Sequence, residues 1–123
     1  MNVILCKSKI HKARITDCDL NYEGSLEINI DYMQEVGMMP YEKILVVNAT
    51  NGERLETYAI PGPAGTPVFR LNGAAARRGF RGDQVTIMSF GLFSEEEAEN
   101  FKPKIIVLDE NNKITARKGS LIN

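Results

Sequence analysis

Apolar and polar residues alternate along much of this chain with the two-residue period of strands, broken by short stretches suited to turns and helices. Val3 and Leu5 on one side and Ile4 and Cys6 on the other fill both faces of an opening strand, and its continuation puts Lys9 and His11 on a shared side. Leu26, Ile28 and Ile30 then alternate with Glu27, Asn29 and Asp31, which predicts a half-buried strand with Ser25 at its start. Asp31 followed three places later by Gln34 predicts an N-cap with a capping-box partner, and Gly37 a left-handed stop for a short helix. Residues 44–50 and 53–60 flank Asn51-Gly52, the pattern of a hairpin with a two-residue type I′ turn. The proline- and glycine-rich stretch 61–67 predicts a loop outside any ladder, because prolines have no N–H to donate.

A strand resumes over 68–71, Asn72 is placed to cap a short helix through Ala74, Ala75 and Ala76, and Gly79 can end it. Residues 85–90 form a further strand, and Ser94 with Glu97 makes a second capping-box pattern that Pro103 keeps short. Residues 105–108 and 114–117 predict a weaker hairpin around Asn111-Asn112, and the residues after Lys118 are expected to fray. One order recurs at an offset of about 41 residues. Gly24-Ser25, strand, Asp31, helix and a strand from Ile44 is echoed by Gly65-Thr66, strand, Asn72, helix and a strand from Val85. Two copies are too few for a solenoid, so strands pairing between the units of a closed, pseudo-two-fold small barrel are the economical solution to exposed edges.

With 123 residues, 43% hydrophobic and 25% charged, the chain reads as one domain, 1–123, whose modest core stands to gain from oligomerisation. A formal charge of -1 and a pI near 5.9 give no basic excess for nucleic acid or an anionic membrane, which leaves a small molecule or a protein as partner. No apolar run is long enough to span a bilayer and no signal-peptide core is evident, so the expected location is cytoplasmic. Cys6 and Cys18 make no disulfide framework, and with His11 the only histidine a zinc site of about four ligands is not expected. Both cysteines are read as reduced packing residues, and no metal is predicted.

Three groups of residues could carry chemistry. Gly24-Ser25 is by default a turn, and the chain contains its own control in Gly119-Ser120, set in a polar tail. The sharper reading has Ser25 Oγ attack the Gly24 carbonyl in a strained bend with donors for the oxyanion, moving the acyl group from nitrogen to oxygen. β-Elimination then leaves dehydroalanine, and hydrolysis with loss of ammonia gives an N-terminal pyruvoyl ketone. Such a ketone condenses with an amine to an imine that accepts electrons as an α-carboxylate leaves, the electron-sink role otherwise served by pyridoxal phosphate. Asn72-Gly73-Ala74-Ala75-Ala76 offers backbone N–H groups with little side-chain bulk that could cradle an anion, although by itself it reads better as an ordinary capped, close-packed helix. Arg54, Thr57 and Tyr58 offer a carboxylate clamp, a hydroxyl and a proton-transferring phenol suited to a dicarboxylate amino acid, although the segment alone reads better as a solvated strand with a surface arginine and an interfacial tyrosine. Arg54 and Tyr58 share a face about 13 Å apart on an ideal strand while Thr57 points the other way, so one flat strand cannot converge all three on one atom. Either a bulge or twist joins them, or they serve different steps or subunits. Lys9 and His11 read first as surface or interface groups, with a ligand role as the alternative.

Taken together, Lys9-Ile10-His11, Thr16, Asp19-Leu20, Tyr22-Glu23-Gly24-Ser25, Thr50-Asn51-Gly52, Arg54, Thr57-Tyr58-Ala59-Ile60, Asn72-Gly73-Ala74-Ala75-Ala76 and Gly82-Asp83 stand in family order and spacing. From about Leu5 to Phe90 the chain thereby resembles the pyruvoyl-dependent aspartate 1-decarboxylase family. The resemblance implies a mainly β fold, a small double-psi β-barrel with short helices, assembled as a homotetramer with active sites between subunits. It implies a self-processing proenzyme cut between Gly24 and Ser25 into chains 1–24 and 25–123, spontaneously or with an accessory maturation factor. The implied reaction converts L-aspartate to β-alanine for pantothenate and coenzyme A synthesis. By position, Ser25 is the pyruvoyl precursor and Tyr58 the proton donor. Thr57, Gly73, Ala74 and Ala75 bind substrate, Lys9 and Arg54 contact its carboxylates, and Asn72 orients the bound amine or the maturing peptide. Gly24, Ser25 and Thr57 are the processing set. Pro61-Gly62-Pro63, Pro67, Arg77-Arg78 and Arg81 depart from the family pattern but leave these motifs intact, and past Phe90 the tail is expected only to pack. The rival from another class is an unprocessed double-psi barrel that serves as a binding or assembly module, and an enzyme acting on glutamate stands between the two.

Overall fold

A computed structural model describes residues 1–118, so the expected frayed tail and its Gly119-Ser120 lie outside the described residues. The chain folds as β1 (Asn2–Arg14), β2 (Asp17–Asp19), β3 (Ser25–Asn29), α1 (Ile30–Glu35), β4 (Lys43–Asn48) and β5 (Arg54–Gly62). There follow β6 (Phe69–Asn72), a 3-10 helix (Gly73–Arg78), β7 (Gln84–Ser94), α2 (Glu95–Ala98), β8 (Lys104–Leu108) and β9 (Ile114–Lys118). The strands form one mixed sheet in the order β2-β6-β3-β5-β4-β7-β1-β8-β9.

The repeat seen in the sequence is the organising symmetry. β3 pairs antiparallel with β6, placing Ile28 opposite Phe69, and β4 pairs antiparallel with β7, placing Val46 opposite Ile87. Both pairs are separated by the repeat's own offset, so a pseudo-two-fold axis passes between them. β5, which precedes the second unit, pairs with β3 and β4 of the first. β2 and β1, which precede the first unit, pair with β6 and β7 of the second. This reciprocal insertion is the double-psi arrangement, and the fold is mainly β with short helices. The hydrogen-bonded ladder itself does not close, which corrects the expectation of a fully closed set of strands. The chain makes the closure instead, because Ile15 and Thr16 run from β1 to β2 while their N–H groups donate to the Asp83 and Phe69 carbonyls, each at 2.9 Å.

Ile10, Leu26, Ile28, Ile44, Phe69, Leu71 and Ile87 form the buried centre, each such side chain contributing about 1.5–3 kcal/mol on leaving water. Ile4, in contrast, stays 71% exposed while Val3, Leu5 and Cys6 are half-buried, so the opening segment is not covered on both faces as its apolar residues suggested. β1 shifts register between Cys6 and Ser8 and again between Ile10 and Ala13, with Lys12 at φ 66. These irregularities let a long strand follow a tightly curved sheet.

Three local expectations are corrected and one strand is added. The cap of α1 is Asn29, whose side chain accepts from the Asp31 N–H at 2.7 Å, while Asp31 Oδ2 accepts from the Gly65 N–H. An asparagine one residue outside the helix satisfies the first free N–H and frees Asp31 to tie down the neighbouring loop. The hairpin turn is longer than two residues: only Gly52 takes a positive φ, and the Asn48 side chain accepts from the N–H groups of Thr50 and Asn51. Pro61 and Gly62 belong to β5, paired with Ile28 and Asn29. Ala59 directs its N–H and C=O toward Glu42 and Tyr41, so Pro61, two residues on, points to that same side beyond the end of β4, where no ladder asks for a donor. β2, a three-residue strand, was not evident in the pattern at all. The Ser94–Glu97 capping box forms as expected.

Candidate functional site

Ser25 opens β3 with only 1% of its surface exposed, between two other strands. On the β6 side it lies opposite Asn72, whose Nδ2 donates to Ser25 Oγ at 3.0 Å. On the β5 side the parallel ladder begins at Leu26 and Ala59, so Tyr58 and Thr57 stand one step back, level with Ser25 and Gly24. The hydroxyl donates to the Glu23 carbonyl at 3.3 Å, two residues upstream. Asn72 does hold the position before the 3-10 helix, but its side chain makes no capping bond, which corrects the expected role. Its Oδ1 is buried and has no partner among the described residues. A buried amide acceptor left unpaired costs about 1–3 kcal/mol, a cost found mainly where function requires the group.

Gly73 presses this arrangement closed. It takes φ +63, and a Cβ there would lie 2.8 Å from the Gly24 Cα and N and 2.9 Å from the Tyr22 carbonyl oxygen. Gly73 therefore packs on the backbone of Gly24 just before Ser25, an approach that a side chain at position 73 would not permit. Ala75 is buried and Ala74 exposed, and the short 3-10 helix packs on β3, β5 and β6.

Tyr58 is half-buried, and its ring lies against Tyr41 with centroids 6.1 Å apart and planes inclined by 35°. Tyr41 has φ 69, a backbone state that costs a bulky residue about 1–3 kcal/mol. Thr57, half-buried, sits opposite Ile44. Arg54 lies exposed at the far end of β5, and its guanidinium has no hydrogen-bond partner among the described residues. Lys9 is on β1, with β5, β4 and β7 between it and β3 in the sheet, and its ammonium likewise has no partner among the described residues. His11 Nδ1 lies 3.2 Å from Thr86 Oγ1, and partial burial together with Lys9, Lys12 and Lys118 pushes its pKa down. The fold thus gathers Gly24, Ser25, Asn72 and Gly73 by contact and Thr57 and Tyr58 by register, but it does not bring Lys9 or Arg54 to Ser25. The Glu23 carbonyl and Tyr41 had no signal in the sequence, one being backbone and the other an ordinary loop aromatic.

Among the described residues no three His, Cys, Asp or Glu side chains are grouped to hold a metal ion. Both cysteines are free, and Cys18 is exposed rather than packed as expected, with burial, Asp83 and Asp17 raising its thiol pKa. No helix among the described residues is long and apolar enough to cross a membrane.

Comparison with known proteins bears directly on this geometry. The family model described as aspartate decarboxylase matches residues 1–115, so the likeness runs past Phe90 through β8 and into β9 rather than thinning there as expected. Aspartate 1-decarboxylase of Moorella thermoacetica is 51% identical over 115 residues, covering 94% of this chain and 90% of that protein. The protein of the same name from Bacillus licheniformis is 51% identical over 94% of this chain and 91% of its own length. That of Carboxydothermus hydrogenoformans is 47% identical over 100% of this chain and 97% of its own. A double-psi sheet with a serine buried at the mouth of β3, joined to matches of this length, means that the chain is an enzyme of the aspartate decarboxylase family.

Proposed function

We propose that the chain cuts itself between Gly24 and Ser25 and then, with a pyruvoyl group derived from Ser25, converts L-aspartate to β-alanine and carbon dioxide. The observation that carries this reading is the Ser25 hydroxyl, buried and held between the Asn72 amide and the Glu23 carbonyl while Gly73 bears on Gly24. In the first step Ser25 Oγ bonds to the Gly24 carbonyl carbon as the C–N bond breaks, and the hydroxyl proton passes to the Ser25 nitrogen. Loss of the Ser25 Cα proton and of Gly24 as a carboxylate leaves dehydroalanine, to which water adds as ammonia departs. The residues present fit the resulting ketone. Asn72 Nδ2 reaches the Ser25 side chain at 3.0 Å, so its amide stands beside the residue that becomes the ketone, and its unpaired Oδ1 can accept from a substrate N–H.

When formed, the pyruvoyl group supplies an electron sink for release of the α-carboxylate. The rest falls to this chain's own groups. Tyr58, level with Ser25, delivers the proton to carbon, and Thr57, Gly73, Ala74 and Ala75 shape the substrate's berth. Lys9 and Arg54 take the carboxylates from neighbouring subunits of a homotetramer, a reading supported by their distance from Ser25 along the sheet and by the exposed Ile4, Phe90 and Leu92. In the cell we place the enzyme in the cytoplasm, supplying β-alanine for pantothenate, with an accessory maturation protein as a further partner. Intact-mass measurement alongside carbon dioxide release tests the proposal. Fragments 1–24 and 25–123, the latter with a pyruvoyl end, are expected in active protein. Full turnover by an unbroken chain would overturn it.

A further inference from the structure

The loop between α1 and β4 contains a residue that the reaction chemistry leaves unassigned. Tyr41 occupies the left-handed region at φ 69, where glycine and asparagine are at ease and a bulky residue is an outlier. It stays there because the backbone on either side is clamped. The Tyr41 N–H donates to the Ala59 carbonyl at 2.7 Å, and the Ala59 N–H donates to the Glu42 carbonyl at 3.0 Å. The Glu42 side chain accepts from Lys7 Nζ at 2.9 Å and from the Met39 N–H at 3.2 Å, while Lys7 Nζ also donates to the Gly37 carbonyl at 2.7 Å. This clamp fixes the loop against β5 at the residue following Tyr58 and directs the Tyr41 ring onto the Tyr58 ring.

A relaxed residue would serve a simple turn better, and Tyr41 itself is 74% exposed, so burial does not account for an aromatic at this place. What the ring does gain is contact with Tyr58. We propose that Tyr41 is a positioning residue for Tyr58, a strained side wall that restricts the Tyr58 ring to the orientation in which its phenol can transfer a proton. The inference rests on the reading of Tyr58 as proton donor.

The test uses processed enzyme, with kcat normalised to the cleaved fraction by intact mass. Tyr41→Gly relieves the backbone and removes the wall. Its Tm should hold or rise while kcat for aspartate falls about tenfold, with KM changed less than about twofold. Tyr41→Phe keeps the wall and should stay within about twofold of the parent enzyme. In a Tyr58→Phe background, Tyr41→Gly should cost nothing more, because the group it positions is gone. Unchanged kcat in Tyr41→Gly, or losses that multiply in the double variant, would overturn the proposal. The two levels separate cleanly: full kcat in Tyr58→Phe removes the proton-donor reading and this inference with it, whereas an impaired Tyr58→Phe beside an unimpaired Tyr41→Gly removes the inference alone.

Discussion

The two halves of the repeat use the same parts to different ends. In each, an asparagine stands just before the helical segment and reaches across to the entry of the other half: Asn29 Nδ2 donates to the Thr66 carbonyl, and Asn72 Nδ2 to the Ser25 hydroxyl. Asn29 is fully used, since its Oδ1 also caps α1. Asn72 leaves Oδ1 unpaired and meets a hydroxyl rather than a backbone carbonyl. The entry dipeptides differ likewise. Gly65 turns at φ +76 and Thr66 bonds locally to Pro63, whereas the Gly24 backbone has Gly73 packed on it and Ser25 is buried. One junction between the halves, Asn29 with Thr66, has settled into a satisfied corner, and the other, Asn72 with Ser25, keeps an unpaired amide oxygen beside a buried hydroxyl.

Substitutions made in pairs across the pseudo-axis can break this contrast. Ser25→Ala should abolish both scission and carbon dioxide release, while Thr66→Ala leaves the intact-mass pattern of cleavage unchanged. Cleavage persisting in Ser25→Ala would erase the distinction between the halves. Next in size, Asn72→Ala should slow scission about a hundredfold by freeing the Ser25 hydroxyl from the position the amide holds, read from the time course of fragment appearance. Its counterpart Asn29→Ala should cost about 1 kcal/mol of stability in denaturant unfolding through the lost cap, with scission intact. Gly73→Ala should destabilise by more than about 1 kcal/mol and retard maturation, because the left-handed backbone and the contact with Gly24 both resist a methyl group. Gly65→Ala meets only the backbone penalty, about 1 kcal/mol, and should mature normally.

The smallest effect concerns α1, the helix that Asn29 caps. Glu35 at the end of α1 accepts two bonds from Arg117, both at 2.9 Å, and these hold its carboxyl below the usual range. A carboxyl lowered on folding stabilises above its unfolded pKa, and that contribution disappears as pH falls through the lower folded value. Glu35→Gln should therefore lower Tm slightly at neutral pH, a difference that vanishes in acid. A gap that widened in acid would reverse the assignment.

Much of this could be read from residue order. The alternation from Leu26, the hairpin strands either side of Asn51-Gly52 and the duplicated order of elements all rest on local period, and Ser25 was marked by its neighbours. What escaped was set by tertiary contact. Whether Asn29 or Asp31 caps α1 depends on where the Gly65 loop lies, and Pro61 could join β5 only because β4 ends short of it. Asn72 reads as an ordinary cap until β6 is laid against β3, and β2 pairs with a strand far along the chain and has no alternation of its own. Lys9 and Arg54 carry side chains suited to a carboxylate, but the fold of this chain brings neither to Ser25.

β1 is threaded between β7 and β8, and β2 lies along β6, so everything upstream of Gly24 is woven into the sheet by the remainder of the chain. Severing the backbone at that point would free no peptide, and the excised piece would persist as a tightly held second polypeptide. Melting such a nicked molecule would let the pieces diffuse apart, and reassembly would become a bimolecular search. Maturation would thus act as a ratchet, with reversible unfolding belonging to the precursor alone.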